Sequence, residues 1–94
     1  MNAEEMLSRV RGIIIQAKAE TVLLQPEDIA PDNRLADPPL AMDSIDFVRM
    51  VIGIEEEFGI IAEDEQFLAS SMNTVADVLA AVHGALGLPA ADAR

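Results

Sequence analysis

Ser44 is the residue whose type and setting could carry chemistry, preceded by Asp43 and followed by Ile45-Asp46. An Asp-Ser pair at the start of a helix is most simply read as an N-cap. As a nucleophile Ser44 lacks company. No Gly-x-Ser-x-Gly elbow surrounds it, and the only histidine, His83, lies far along the chain beside the core stripe of the last helix. The loop acids do not follow the Asp-x-Asp-x-Asp-Gly spacing that holds calcium. There is no Gly-rich phosphate loop and no metal-ligand cluster, so no intrinsic metal is expected. With zero cysteines there is no thiol nucleophile, disulfide or Cys-bound zinc. The residues alone therefore give no enzyme.

Acidic side chains are the other chemical feature. Residues 43–65 hold eight acids (Asp43, Asp46, Glu55, Glu56, Glu57, Glu63, Asp64, Glu65) against Arg49, which puts −7 of the chain's −11 there. Such a charge repels phosphate backbones and anionic lipid, which argues against nucleic-acid and membrane-surface roles. It calls for partners that present Lys and Arg. Because 51% of the chain is hydrophobic, it is not an acidic disordered tail. The acidic start, Asn2-Ala3-Glu4-Glu5, does not suit a signal peptide. No apolar run reaches the roughly 18 residues of a membrane span, and a cytoplasmic location is expected.

These residues need elements to position them. Met6, Leu7, Val10, Ile13, Ile14 and Ala17 repeat at helical spacing, which predicts a helix over about 3–20, with Asn2 as N-cap and Glu5 as its reciprocal acid. From Thr21 to Met42 four of the five prolines break the pattern, which predicts a long loop pinned by Leu24, Ile29, Leu35 and Leu40. A second helix should run from Asp43 to about Phe58 and end at Gly59. A short third should open at Glu63-Asp64-Glu65 near Phe67 and Leu68. Thr74 and Asp77 form a capping-box pattern for a last helix that Gly87 and Pro89 close. The fold class is all-α: a four-helix bundle of three longer helices and one short, with the long loop between the first two. A single domain over 1–88 is expected, with a frayed tail over 89–94.

The second helix has two apolar faces. Phe47, Met50, Val51, Ile54 and Phe58 share the core side. Ile45, Val48 and Ile52 lie roughly opposite, rimmed by Asp46, Glu55 and Glu56. Either the fold buries both sides, or the second stripe is a docking strip for a partner. The acids around it favour steered docking; the periodicity alone leaves both open.

Leu40-Ala41-Met42-Asp43-Ser44-Ile45-Asp46 resembles the acyl carrier proteins, whose signature is Leu-Gly-x-Asp-Ser-Leu at the start of the second helix. The likeness runs over roughly residues 4–86 and includes Glu55-Glu56-Glu57-Phe58-Gly59-Ile60, Glu63-Asp64-Glu65 and Asn73-Thr74-Val75-Ala76-Asp77-Val78. The resemblance implies a carrier that performs no chemistry itself. Ser44 would accept 4′-phosphopantetheine from coenzyme A through a carrier-protein synthase, with Asp43 assisting. Acyl cargo would ride as a thioester on the arm's sulfur, so the reactive thiol is imported. Ile45, Asp46, Val48, Arg49, Ile52, Glu55 and Glu56 fall at positions where the family meets its enzymes: the synthase, acyl-loading ligases or synthases, and acyltransferases. A monomer is implied.

Some positions depart from the family. Ala41 replaces the usual Gly, so the turn either avoids a left-handed conformation or carries strain. Arg49 stands where an acid is common. Phe47 replaces a smaller core residue and Ala62 a larger one, and the stretch between Asp64 and Thr74 is about two residues longer. These suggest a specialised carrier rather than the housekeeping one of fatty-acid synthesis, with dedicated lipid pathways, including very-long-chain acyl transfer to lipid A, as candidates. An aminoacyl or peptidyl carrier, and an unmodified acidic helical docking module, are the alternatives.

Overall fold

In a computed structural model, residues 2–62, 67, 68 and 70–87 are described. They include three α-helices and a 3-10 turn: α1, Ala3–Lys18; the 3-10 turn, Pro26–Asp28; α2, Ser44–Phe58; and α3, Val75–Ala85. No strand occurs among the described residues, and Arg34 and Thr74 meet in one isolated antiparallel bridge. The start of the short helix expected to open at 63–65 falls on residues outside those described, as does the expected tail from 89 onward. Phe67, however, is buried in the core.

Each helix starts on a side-chain cap. The Asn2 side chain accepts from the Glu5 N–H at 2.8 Å. The Glu5 carboxylate does not reach back to Asn2, as the sequence pattern suggests; it pairs with Arg9 one turn on, at 2.9 Å. A guanidinium four residues on lies on the same helix face and within reach of that carboxylate. At α3 the predicted box is complete: Asp77 N–H donates to Thr74 Oγ1 at 3.2 Å and Thr74 N–H to Asp77 Oδ2 at 3.0 Å. Gly59 ends α2 at φ +65°, a conformation open to glycine without a Cβ clash.

The 25 residues between α1 and α2 (19–43) are held in place along their length. Leu24, Ile29, Leu35 and Leu40 all insert into the core beside Val10, Ile14, Met50, Ile54, Val78 and Val82. The segment's backbone also finishes α3: Asn33 and Pro31 carbonyls accept from the Val75 and Ala76 amides at 3.0 and 2.8 Å. Those are first-turn donors with no partner inside their own helix. Leu35 N–H donates to Asn73 O, Met42 N–H donates to Leu35 O, and Arg11 Nε donates to Ile29 O. The segment is thus tied to α1 and α3 and delivers the chain to the start of α2.

Helices α1 and α2 lie side by side and antiparallel. Arg9 meets Glu57 at one end (3.4 Å), while Lys18 meets Asp46 and Glu20 meets Arg49 at the other (2.9 and 3.1 Å).

Candidate functional site

The N-terminus of α2 brings the candidate residues together. Ser44 is not the cap that an Asp-Ser pair first suggests. Asp43 takes that role: its Oδ1 accepts from the Asp46 N–H at 2.8 Å, and its own N–H donates to Asp46 Oδ2 at 3.1 Å. A carboxylate one residue earlier meets the helix's free amides with a full charge, which a hydroxyl lacks. Ser44 becomes the first helical residue, exposed, and among the described residues its hydroxyl has no protein partner. The amides of Ser44 and Ile45 likewise donate to no protein group among the described residues. In α3 the equivalent amides are taken by the Asn33 and Pro31 carbonyls. The start of α2 therefore presents a free hydroxyl beside two free N–H donors at the positive end of the helix dipole, a setting suited to a phosphate.

Asp46 departs from its expected place on the rim of an exposed strip. It is buried, 3% exposed, because its carboxylate closes the capping box and accepts from Lys18 Nζ at 2.9 Å. Burial by itself would raise the Asp46 carboxyl pKa. The hydrogen bond from Lys18, those from Asp43 and the Lys18 charge overcome that and hold it below the ordinary aspartate range. Lys18 was not visible as part of this site from sequence reasoning. Its signal lies in register: it follows Ile14 by four residues on the buried stripe of α1, where a solvated lysine would not sit.

The remaining candidates stay outside. Ile45, Val48 and Ile52 are 62%, 54% and 48% exposed, so the described fold does not cover the second apolar face of α2. Glu56 is exposed. Glu55 is half-buried, and its Oε2 accepts from the Ala62 N–H at 2.9 Å, which ties the segment after α2 back to the helix. Arg49 is exposed, and its charge is met by Glu20 of the turn after α1. Phe47 is half-buried against the core, as is Ala62. His83 is half-buried on α3. Beside the exposed strip an open groove of about 710 Å³ runs between α1 and α2, with Ile13, Gly12, Gly53 and Ile52 along it and Arg9 and Arg49 at its ends.

Ala41 shapes the approach to Ser44. It adopts φ +43°, the left-handed alternative that replacing glycine left open. Its N–H donates to Asp37 O at 2.8 Å and its carbonyl accepts from Lys18 Nζ at 3.1 Å, so both of its peptide groups are held.

An all-helical domain with a free serine at a helix start defines a class, and comparison with known proteins names it. The family model for the phosphopantetheine attachment site matches residues 13–82, a span that includes Ser44. The acyl carrier protein of Thermosynechococcus vestitus is 37% identical over 79 residues, covering 84% of this chain and 89% of that protein. The chloroplastic acyl carrier protein 3 of Cuphea lanceolata is 40% identical over 75 residues, and its acyl carrier protein 4 is 40% identical over 72. The chain spans about half the length of the two Cuphea proteins. The chain belongs to the acyl carrier protein family, and its cofactor is covalent 4′-phosphopantetheine. No helix among the described residues is long and apolar enough to cross a membrane.

Proposed function

We propose that Ser44 is the attachment serine and that the holo protein carries acyl intermediates to the enzymes of a fatty-acid or specialised lipid pathway. The observation that carries this is the free Ser44 hydroxyl on the first turn of α2, next to the unclaimed Ser44 and Ile45 amides. In the transfer, Ser44 Oγ forms a bond to the pantetheine-side phosphorus of coenzyme A and loses its proton. The pyrophosphate bond breaks and 3′,5′-ADP leaves. The phosphodiester that results lies at the helix N-terminus, where free amides and the dipole favour its charge. Asp43 uses one oxygen, Oδ1, for the cap; its carboxylate would also help hold a magnesium ion, which would offset phosphate charge during the transfer.

Docking is assigned to the exposed Ile45, Val48 and Ile52 with Arg49, Glu55 and Glu56 around them. Asp46, being buried, drops out of that surface. The partners are a carrier-protein synthase, loading ligases or synthases, and acyltransferases, each with a basic docking surface that the acidic charge steers toward. The carrier acts as a monomer with the four-helix arrangement of its family.

Intact mass after incubation with coenzyme A, magnesium and a carrier-protein synthase tests the reading. One added phosphopantetheine on the chain and none on Ser44→Ala is the expected result; an unmodified chain with a synthase that modifies a control carrier would sink it. Offering the holo form to acyl and aminoacyl ligases then identifies the cargo class by which thioester forms.

A further inference from the structure

Lys18 is the only lysine of the chain, and it is buried at the C-terminal end of α1, 6% exposed. A buried ammonium is unfavourable unless it is paired and hydrogen-bonded. Two acceptors meet it, Asp46 Oδ2 at 2.9 Å and Ala41 O at 3.1 Å. They bracket the modification site: Ala41 lies three residues before Ser44, and Asp46 two residues after it.

Each acceptor belongs to a device that sets the direction of the chain. Ala41 is the only non-glycine residue with positive φ among the described residues. Its Cβ is crowded in that conformation, and such a residue persists only where its surroundings hold it. Here the hold is the Asp37 carbonyl on one side and Lys18 on the other. Asp46 is the second half of the box that starts α2 at Asp43. One ammonium thus ties the strained turn before Ser44 to the capping box after it, and anchors both to α1.

We infer that Lys18 is a positioning residue for the modification of Ser44, fixing where Asp43 and the Ser44 hydroxyl point without touching coenzyme A. This rests on Ser44 being the attachment serine. Because Asp46 neutralises Lys18 in the interior, the pair adds no net charge to the surface a partner meets. Its influence therefore belongs to orientation, not to docking.

The test is Lys18→Met/Asp46→Asn. It removes both charges together, leaves no unpaired buried ion, and keeps a side-chain oxygen for the Asp43 N–H. Circular dichroism is expected to show a folded helical protein. Steady-state modification by a carrier-protein synthase should show kcat about tenfold lower, with KM changed less than about twofold because Ile45, Val48 and Ile52 are intact. Adding Ala41→Gly should recover most of the loss in kcat, since glycine takes positive φ without a tether; a merely stabilising ion pair would leave the kcat of the folded double variant unchanged.

Wild-type kinetics in the folded double variant would overturn the inference, and so would a rise in KM alone or a lost kcat that Ala41→Gly does not restore. Failure of the wild-type chain to be modified would instead overturn the carrier reading, and this inference with it. Should the double variant not fold, acetylation of the native wild-type protein still tests the buried tether on which the inference depends. Lys18 should react about a hundredfold more slowly than the lysine of a peptide spanning residues 14–22, and reaction at the peptide's rate would refute the buried tether.

Discussion

Ala41 holds a methyl group in a conformation that disfavours it by about 1–2 kcal/mol, and glycine would release that strain. Glycine also adds unfolded-chain freedom worth roughly 0.5–1 kcal/mol. Ala41→Gly is therefore expected to stabilise the protein by about 0.5–1 kcal/mol, read from urea unfolding. Asp43 separates differently, because it is both the N-cap and the proposed magnesium ligand. Asn caps a helix about as well as Asp, so Asp43→Asn should keep the melting temperature while lowering the rate of phosphopantetheine transfer to Ser44. An equal rate would leave Asp43 with the cap alone. At this scale the sequence placed Asp43 and Ser44 together at a helix start but left the cap open between them, since both residue types cap and spacing does not choose. It could not pair Lys18 with Asp46, which are 28 residues apart, nor Arg49 with Glu20, which are 29 apart.

Helices α1 and α2 each carry a glycine along their shared groove, and the two differ in what a methyl group would meet. A Cβ at Gly12 has open space, whereas at Gly53 it would lie 3.0 Å from Ile13 Cγ2. Gly12→Ala is expected to gain close to the full helix-propensity difference of about 1 kcal/mol. Gly53→Ala should gain clearly less, because Ile13 must yield by a few tenths of an ångström. Chemical denaturation of the two variants side by side measures the difference. The long segment between these helices was readable in an unusual way: its prolines excluded helix, and its four spaced aliphatics marked it as pinned. What it is pinned to was not readable. Nothing in Pro31 or Asn33 announces that their carbonyls complete the first turn of α3.

Across the whole molecule, charge and burial oppose one another as pH falls. Asp77 is held low by hydrogen bonds from the Asn73 and Thr74 amides, and Asp46 is held low by Lys18 and Asp43 despite its burial. A lowered folded pKa contributes stability that is complete above the unfolded value of about 3.9 and is lost as pH drops through the folded value. The net charge of −11 works the other way. Its self-repulsion fades as acid lowers the net negative charge. Melting temperature should therefore rise from pH 7 to about pH 5 and fall below about pH 4, and Asp77→Asn should flatten the acid limb. At pH 7, raising salt from 0.05 to 0.5 M (about a threefold shorter screening length) should raise the melting temperature, an effect that shrinks at pH 4.5.

The sequence by itself determined the all-helical class, the caps at Asn2 and Thr74, the buried aliphatics of the first loop and the acidic stretch around Ser44. These are encoded locally, by spacing, proline and capping chemistry, so a linear reading reaches them. The tertiary structure decided which carboxylate stays at the surface. Asp46, Glu55 and Glu56 lie on one helix within 11 residues, yet only Asp46 meets the lysine that the end of α1 brings to it. It also decided that Ile45, Val48 and Ile52 remain uncovered, because no described element packs against that side of α2. Which groups meet across tens of residues follows from how the helices stack, and neither residue type nor spacing along the chain contains that.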